Sequence, residues 1–261
     1  MTQTTDVADR AYLGWRNKYA NEPARCRNYE GRFAGAPGRR VLSWLDARMV
    51  LRALRGVPRG SLILDLPCGG GRLTRALTGA GYRTLASDYS DWMCRESQPA
   101  AVAAVRADAT RLPYRDGAFA ASVCFRFLHS VPAPLRIASI RELGRVSGIV
   151  VLNYLNLLSI RSLRLFLGRR KPLKSRISET QAIAEVESAG LTVLGCEYKA
   201  RFLFEDFAVV AKAAPAAPPS AQPQMADSVS GGRTPAIPAA PPGPRDRDRA
   251  GCLIAEVHRP D

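Results

Sequence analysis

Three glycines and two aspartates form the clearest chemical pattern in this chain. Gly69–Gly71 follow the apolar run Leu62–Leu64, which ends in Asp65, and Asp88 ends the next apolar run. Glycine lets a backbone approach a ligand closely, and a helix that begins after such a turn presents unpaired N–H groups. An acid about twenty residues later accepts hydrogen bonds from both hydroxyls of a ribose. The spacing therefore predicts a pocket shaped for a nucleotide.

Short apolar runs alternate with helix-like segments along the middle of the chain. The runs are Leu62–Leu64, Thr84–Ala86, Ala103–Val105, Ala121–Phe125 and Gly148–Leu152. Continuous apolar strands separated by helices form parallel sheets with right-handed crossovers and helices on both faces. The pattern predicts an α/β fold with a doubly wound, mostly parallel sheet.

The segment after residue 177 predicts one more helix and a pair of strands. Ser178 and Gln181 have the spacing of a capping box, so a helix begins there, and it ends at Gly190. Leu191–Tyr198 and Arg201–Ala211 are strand-like runs joined by a short turn. We expect them to add an antiparallel hairpin to the sheet.

Composition divides the 261 residues into four parts. They are an N-terminal helical extension (1–57), the domain that holds the sheet (58–212), a disordered Pro/Ala-rich tail (213–250) and a short C-terminal segment of unknown role (251–261). The extension has helix-like patterns at Asp6–Ala20 and Gly38–Leu54. We expect these helices to pack on the sheet edge, to form a lid over the cofactor, or to do both.

Further motifs surround the glycines. Asp65–Gly71 reads Asp-x-Pro-Cys-Gly-Gly-Gly and resembles the Asp/Glu-x-Gly-x-Gly-x-Gly motif of class I S-adenosylmethionine-dependent methyltransferases. Asp88–Met93 resembles their Asp-x-Ser-x-x-Met motif, Arg106–Ala109 resembles the third motif, and Phe125–Pro132 occupies the position after the fourth strand. The resemblance covers about residues 60–155. It implies a seven-stranded Rossmann-like sheet, methyl transfer, S-adenosylmethionine as cofactor, and similarity to the small-molecule group that includes quinone-biosynthesis enzymes.

The resemblance also implies a role for each cofactor-binding position. Asp88 binds both ribose hydroxyls, Asp108 accepts from the adenine amino group, and Asp65 orients the loop or meets the cofactor ammonium through water. The full set is Asp65, Pro67, Gly69, Gly71, Asp88, Tyr89, Asp108, Ala109 and Phe125. Pro67 departs from the family pattern, which has a glycine there, and it removes one N–H from the loop.

Candidate catalytic residues follow from the chemistry of the sulfonium methyl group. That group is already activated, so a general base is needed only for an acceptor that still holds its proton. His129 lies just past the fourth strand and Tyr154 just after the fifth, and both are candidates. The six cysteines include no Cys-x-x-Cys pair and the chain has two histidines, so we predict no metal site.

The net charge of +15 raises the question of an anionic partner. Leu157–Arg176 interleaves basic residues with leucines, and we hypothesise that it meets an anionic or lipid-like acceptor, or contacts an anionic membrane surface peripherally. A merely solvated basic face is the alternative. Only five of the 38 basic residues are lysine, which suggests a coding bias and weakens the net charge as evidence for nucleic acid, a membrane surface or an acidic substrate. Nucleic acid is further disfavoured because Cys124–Phe127 lacks an Asn-Pro-Pro-Tyr type of motif.

The chain shows neither a membrane span nor an export signal. No apolar run reaches the roughly 20 residues needed to cross a bilayer. The first ten residues are polar and acidic, whereas a secretory signal begins basic and then becomes apolar. We therefore expect a cytoplasmic protein.

Two other functions stay open. The glycines and Asp88 also suit a nicotinamide-dependent oxidoreductase, although Thr74 stands where that fingerprint has a third Gly or Ala and Asp108 would have no role. The other alternative is a non-catalytic protein that binds the cofactor within the same fold.

Overall fold

Seven strands form one sheet in the order β3-β2-β1-β4-β5-β7-β6. The structure, a computed structural model, describes residues 37–160, 176–200 and 204–213. The strands are β1 Leu62–Asp65, β2 Arg83–Asp88, β3 Ala103–Arg106, β4 Phe119–Cys124, β5 Ser147–Leu155, β6 Leu191–Tyr198 and β7 Asp206–Ala213. Strands β1 to β5 pair in parallel, and β7 runs antiparallel to both of its neighbours. The predicted mostly parallel sheet with an antiparallel C-terminal hairpin is confirmed.

Five α-helices flank the sheet in the described ranges. They are α1 Pro37–Ala53, α2 Arg72–Gly79, α3 Asp91–Ser97, α4 Ala133–Val146 and α5 Glu179–Ser188. None of them is long and apolar enough to cross a membrane. The predicted helix Asp6–Ala20, most of the basic segment Leu157–Arg176 and the Pro/Ala-rich tail lie outside the described residues.

The core lies on both faces of the sheet because successive strand residues point to opposite sides. Leu64 belongs to the cluster under α4 and α5, which includes Leu143 and Val186. Its neighbour Ile63 belongs to the cluster on the other face, together with Met49 of α1. Strands buried on both faces explain the continuous apolar runs in the sequence.

Helix α1 packs on the sheet through its C-terminal half. Met49 and Val50 are fully buried, and the helix contacts α2, β6 and β7. Val41 and Trp44 in its N-terminal half are more than half exposed. The packing role expected for this segment is therefore seen for α1, and its role as a lid stays a prediction.

A capping box fixes the start of α5, as the sequence predicts. The Ser178 hydroxyl accepts a hydrogen bond from the Gln181 backbone N–H at 3.2 Å. In return the Gln181 side-chain oxygen accepts from the Ser178 backbone N–H at 2.9 Å. The two bonds satisfy two backbone donors that the helix cannot pair internally.

Replacing the cap should therefore weaken the fold measurably. We expect Ser178→Ala to lower the free energy of unfolding by about 1 kcal/mol, because one backbone donor loses its acceptor. Urea denaturation followed by circular dichroism measures this. Thr180→Ala, at an exposed position in the same helix turn, is the matched control, and equal stability of the two variants would contradict the assignment.

Candidate functional site

The carboxyl ends of β1, β2 and β4 meet at one edge of the sheet. The strand order places β1 between β2 and β4, so the chain turns to opposite sides of β1. Ligands of open α/β sheets bind in the crevice at such a switch point. Asp65 is the last residue of β1, Asp88 is the last of β2, and Phe125 directly follows β4. The sheet thus brings together residues that the sequence keeps far apart.

The glycine loop between β1 and α2 is tied to both neighbouring strands. The Leu66 N–H donates to the Val123 carbonyl at 3.0 Å, and the Cys68 N–H donates to the Ser87 carbonyl at 2.8 Å. Leu66–Pro67 is a cis peptide bond. Pro67 therefore occupies the start of the loop, and it leaves the backbone bonds on either side of it intact.

Gly71 is the loop residue whose lack of a side chain matters most. Its φ of 82° lies in the left-handed region, and a Cβ atom there would lie 2.8 Å from the Ser97 Cα atom. Real Cβ atoms do not approach backbone so closely, and the left-handed conformation is itself costly for other residues. Only glycine lets the loop pass against the end of α3.

Asp88 connects the glycine loop to the end of β2. Its Oδ2 atom accepts from the Gly69 N–H at 3.1 Å, and its Oδ1 atom accepts from the Ser90 N–H at 3.0 Å. Burial raises the pKa of Asp88 to about 6, against the effect of these backbone donors. A carboxylate offers about four acceptor positions, so both oxygens retain capacity for ribose hydroxyls.

Asp65 lies behind the loop and is fully buried. The Thr74 hydroxyl of α2 donates to its Oδ2 atom at 2.7 Å, whereas its Oδ1 atom has no hydrogen-bond partner among the described residues. Burial raises the pKa of Asp65 to about 7. A buried acceptor without a partner fits a group that arrives with the ligand, such as an ammonium acting directly or through water.

Asp108 lies at the same edge, beyond β3. The register pairs Asp88 with Arg106, so Asp108 follows two residues after the partner of Asp88. Its Oδ1 atom accepts from the backbone and the hydroxyl of Thr110, at 3.0 and 2.8 Å. These local bonds fix the side chain in a turn. Asp108 and Ala109 are both half-buried, as side chains that line an opening are.

The residues at this edge match a known family. The sequence model of a family described as a methyltransferase domain matches residues 63–147, which include the glycine loop, Asp88 and Asp108. This match identifies a methyltransferase domain over residues 63–147, in agreement with the prediction from the sequence motifs. A search of curated proteins finds no match. The similarity to quinone-biosynthesis enzymes within the family stays a prediction.

Solved structures of methyltransferases share the fold. Magnesium protoporphyrin IX methyltransferase from Synechocystis, with bound S-adenosylhomocysteine, is 18% identical, with a TM-score of 0.59 over 77% of this chain and 99% of that one. A TehB-like S-adenosylmethionine-dependent methyltransferase from Corynebacterium glutamicum is 19% identical, with a TM-score of 0.53 over 74% and 100%. The 1,6-didemethyltoxoflavin-N1-methyltransferase of Burkholderia thailandensis is 13% identical, with a TM-score of 0.55 over 82% and 91%.

The remaining predicted cofactor residues of the methyltransferase domain lie beside its acids. Tyr89 directly follows Asp88, is half-buried, and has the Arg106 guanidinium 5.2 Å from its ring centre. Phe125 is buried, and its ring lies 5.8 Å from the guanidinium carbons of both Arg72 and Arg126. Tyr89 thus borders the ribose end of the crevice, and Phe125 borders the β1–β4 end.

The two candidate catalytic residues occupy different surroundings. His129 is buried in a short 3₁₀ helix, Leu128–Ser130, after β4 and therefore at the carboxyl edge. Tyr154 lies inside β5 rather than after it, because β5 stays paired with β7 as far as Leu155. Its hydroxyl contacts Glu185 of α5 at 3.1 Å, and burial raises its pKa far above the usual range. Tyr154 therefore keeps its proton, which does not favour a role as base.

A cluster of buried charged side chains lies at this edge, and the sequence patterns do not predict it. We call it the Asp46 cluster, and its members are Asp46, Arg72, Arg126, Lys199 and Asp206. Asp46 has no exposed surface and pairs with Arg72 at 3.0 Å, with Arg126 at 3.1 Å and with Lys199. The one local indication in the sequence is that Asp46, an acid, stands within the apolar stripe of α1, between Leu42 and Met49.

The Asp46 cluster extends from α1 to the hairpin of β6 and β7. Lys199, directly after β6, pairs with Asp206, the first residue of β7, at 2.7 Å. Burial alone would raise the pKa of Asp206, but Arg126 and Lys199 together hold it below its ordinary value. Asp206 therefore keeps its charge at neutral pH, whereas burial raises the pKa of Asp65.

Gly71 supplies a test of the loop geometry. Gly71→Ala should destabilise the fold by at least about 1 kcal/mol and weaken binding of S-adenosylhomocysteine, because the new methyl group meets Ser97 and strains φ. Gly79→Ala, at the end of α2 with open space around it, is the matched control. Thermal denaturation and calorimetry measure both effects. Similar results for the two variants would contradict the packing described.

The two acids predict a pH dependence of stability. Burial raises the pKa of Asp65 to about 7 and that of Asp88 to about 6, from an ordinary 3.8. The folded chain therefore binds these protons more tightly than the unfolded chain does. Their contribution to the free energy of unfolding is complete below about pH 4 and is lost as the pH rises towards 7; for Asp65 it is on the order of 4 kcal/mol.

Asp65→Asn isolates this contribution. The stability of the variant minus that of the unmodified protein should increase as the pH rises from about 4 to about 7, because asparagine does not titrate. Urea unfolding at a series of pH values measures the difference. Glu96→Gln, an exposed acid on α3, is the control. A difference for Asp65→Asn that is constant with pH would show that Asp65 has an ordinary pKa.

Proposed function

We propose that this methyltransferase domain acts on a small-molecule acceptor, with the cofactor held across the carboxyl ends of β1, β2 and β3. The observation that carries the proposal is Asp88, whose two oxygens are oriented by Gly69 and Ser90 at the end of β2. In this arrangement the ribose hydroxyls donate to Asp88. The adenine amino group donates to Asp108, and the methionine part lies along Gly69 and Gly71.

The protein contributes alignment of the reacting groups and exclusion of water rather than reactive side chains. When bound, the sulfonium cofactor supplies a methyl group that is already activated for in-line displacement. The glycine loop and the buried side chains around it align the nucleophile with that methyl group and exclude water. Such alignment contributes about 7 to 11 kcal/mol to lowering a barrier. Asp65, behind the loop, keeps Thr74 and hence the start of α2 in place.

His129 is the proposed general base for an acceptor that holds its proton at neutral pH. Its position after β4 places it at the edge where the acceptor meets the cofactor. An acceptor that is already ionised needs no base, and His129 then only packs. Tyr154 is not proposed for this role because its hydroxyl is bound to Glu185.

The acceptor we propose is small and carries an anionic group. Similar folds occur in a magnesium protoporphyrin IX methyltransferase and in a 1,6-didemethyltoxoflavin-N1-methyltransferase, and both are named for small molecules. The basic residues interleaved with leucines in the sequence of Leu157–Arg176 support an anionic acceptor. A lipid-like acceptor and peripheral contact with an anionic membrane stay predictions, because the segment 161–175 on which they depend lies outside the described residues.

Calorimetry tests the cofactor site. The unmodified protein should bind S-adenosylhomocysteine and not NAD. Asp88→Ala should weaken that binding by about a hundred-fold, because it removes two hydrogen bonds to a charged carboxylate. Asp116→Ala, an exposed acid paired with Arg145, is the control and should bind normally. Binding of NAD without binding of S-adenosylhomocysteine would favour the oxidoreductase alternative.

Transfer of a labelled methyl group tests the acceptor class. Purified protein with methyl-labelled S-adenosylmethionine is incubated with fractionated small metabolites, lipids and RNA. Label is expected in an acidic small-molecule or lipid fraction and not in RNA. Label confined to RNA would contradict the proposed acceptor, and cofactor binding without label in any fraction would favour the non-catalytic alternative.

A further inference from the structure

A single carboxylate oxygen joins the two loops that border the crevice. Arg72 and Arg126 both donate to the Asp46 Oδ2 atom, at 3.0 and 3.1 Å. Arg72 is the first residue of α2, directly after the glycine loop, and Arg126 is the second residue after β4. The Phe125 ring lies 5.8 Å from both guanidinium carbons. The two loops are thus connected through one atom, although they are far apart in the sequence.

Asp46 is itself fixed by the packing of α1. Its side chain is fully buried, and it lies one turn before Met49 and Val50, which pack on the sheet. The Lys199 ammonium forms an ion pair with its Oδ1 atom. Charges in such a buried place are weakly screened, so the carboxylate attracts its partners strongly. Asp46 therefore provides a fixed point to which both loops are bonded.

The loop after β4 depends on this contact because its backbone is strained. The φ of Arg126 is 58°, the only positive value for a residue other than glycine in the described ranges. Such a conformation persists only where the surroundings maintain it. The Asn153 side chain accepts from the Arg126 N–H at 3.1 Å, and Asp46 accepts from its guanidinium. Arg126 is thus bonded through both its backbone and its side chain, and loss of Asp46 should loosen the loop.

We propose that Asp46 is a positioning residue that sets the spacing between the cofactor side and the acceptor side of the crevice. Through Arg72 it holds the glycine loop. Through Arg126 it holds the loop that contains Phe125 and leads to His129. Methyl transfer requires close alignment of the acceptor with the methyl group, so a fixed distance between the two loops favours the reaction. This inference rests on the proposed function, because it concerns the same crevice.

Calorimetry with S-adenosylhomocysteine gives the first readout. Asp46→Asn keeps the size of the side chain and removes its charge, so it should weaken binding on the order of ten-fold at a temperature where the variant is folded. Met49→Ala, one turn along α1, is the matched control. It should lower the melting temperature because it leaves a cavity in the core, but it should change the affinity by less than about two-fold.

Amide hydrogen exchange gives a second readout, which needs no ligand. The N–H groups of Cys68 and Gly69 in the glycine loop, and of Arg126 in the other loop, are hydrogen-bonded. Asp46→Asn should speed exchange in both loops on the order of ten-fold, whereas Arg72→Gln should speed it in the glycine loop alone. Adding Arg72→Gln to Asp46→Asn should have no further effect on the glycine loop, because both changes break the same bond.

The outcomes separate positioning from packing. The inference is overturned if Asp46→Asn and Met49→Ala affect affinity and exchange equally, because Asp46 would then only stabilise α1. If Asp46→Asn does not fold, Arg72→Gln and Arg126→Gln decide, because both leave Asp46 paired with Lys199; unchanged exchange in both loops then overturns the inference. Failure of the unmodified protein to bind S-adenosylhomocysteine would overturn the proposed function instead, and the exchange experiment would still test the connection between the loops.

Discussion

The hydrogen bond from the Gly69 N–H to the Asp88 carboxylate connects the two halves of the proposed cofactor site. It depends on the parallel pairing of β1 and β2, which brings the glycine loop alongside the end of β2. The same pairing brings the Cys68 N–H to the Ser87 carbonyl. A shift of one residue in this register would turn Asp88 to the other face of the sheet and leave the loop without its anchor.

Acids at this edge have opposite electrostatic surroundings. Burial is the largest influence on Asp65 and Asp88 and raises the pKa of each, although Arg72 partly offsets it for Asp65. Asp206 is comparably buried, yet Arg126 and Lys199 keep its pKa low. The site thus combines a region where carboxyl groups readily gain a proton with a region of fixed charges about the first turn of α2. The first suits hydrogen bonds to hydroxyls.

Sequence patterns predict the strands of this protein well and its charge pairs poorly. Apolar runs locate the sheet because each strand is buried on both faces, and the capping box at Ser178 is a local signal. The predicted end of β5 is wrong, because it depends on pairing of Tyr154 with Phe207 of a strand far along the chain. The Asp46 cluster was missed for the same reason. Its members come from α1, α2, the end of β4 and the β6–β7 hairpin, and no local spacing connects them.

The position of Asp46 on α1 has a consequence for where the domain begins. A boundary at residue 58, which composition suggests, would remove α1 and with it one of the two carboxylates that neutralise Lys199 and Arg126. Met49 and Val50 would also leave one face of the sheet uncovered. We therefore expect helix α1 to belong to the cooperative folding unit, so that a fragment beginning at residue 58 is less stable than one that retains it.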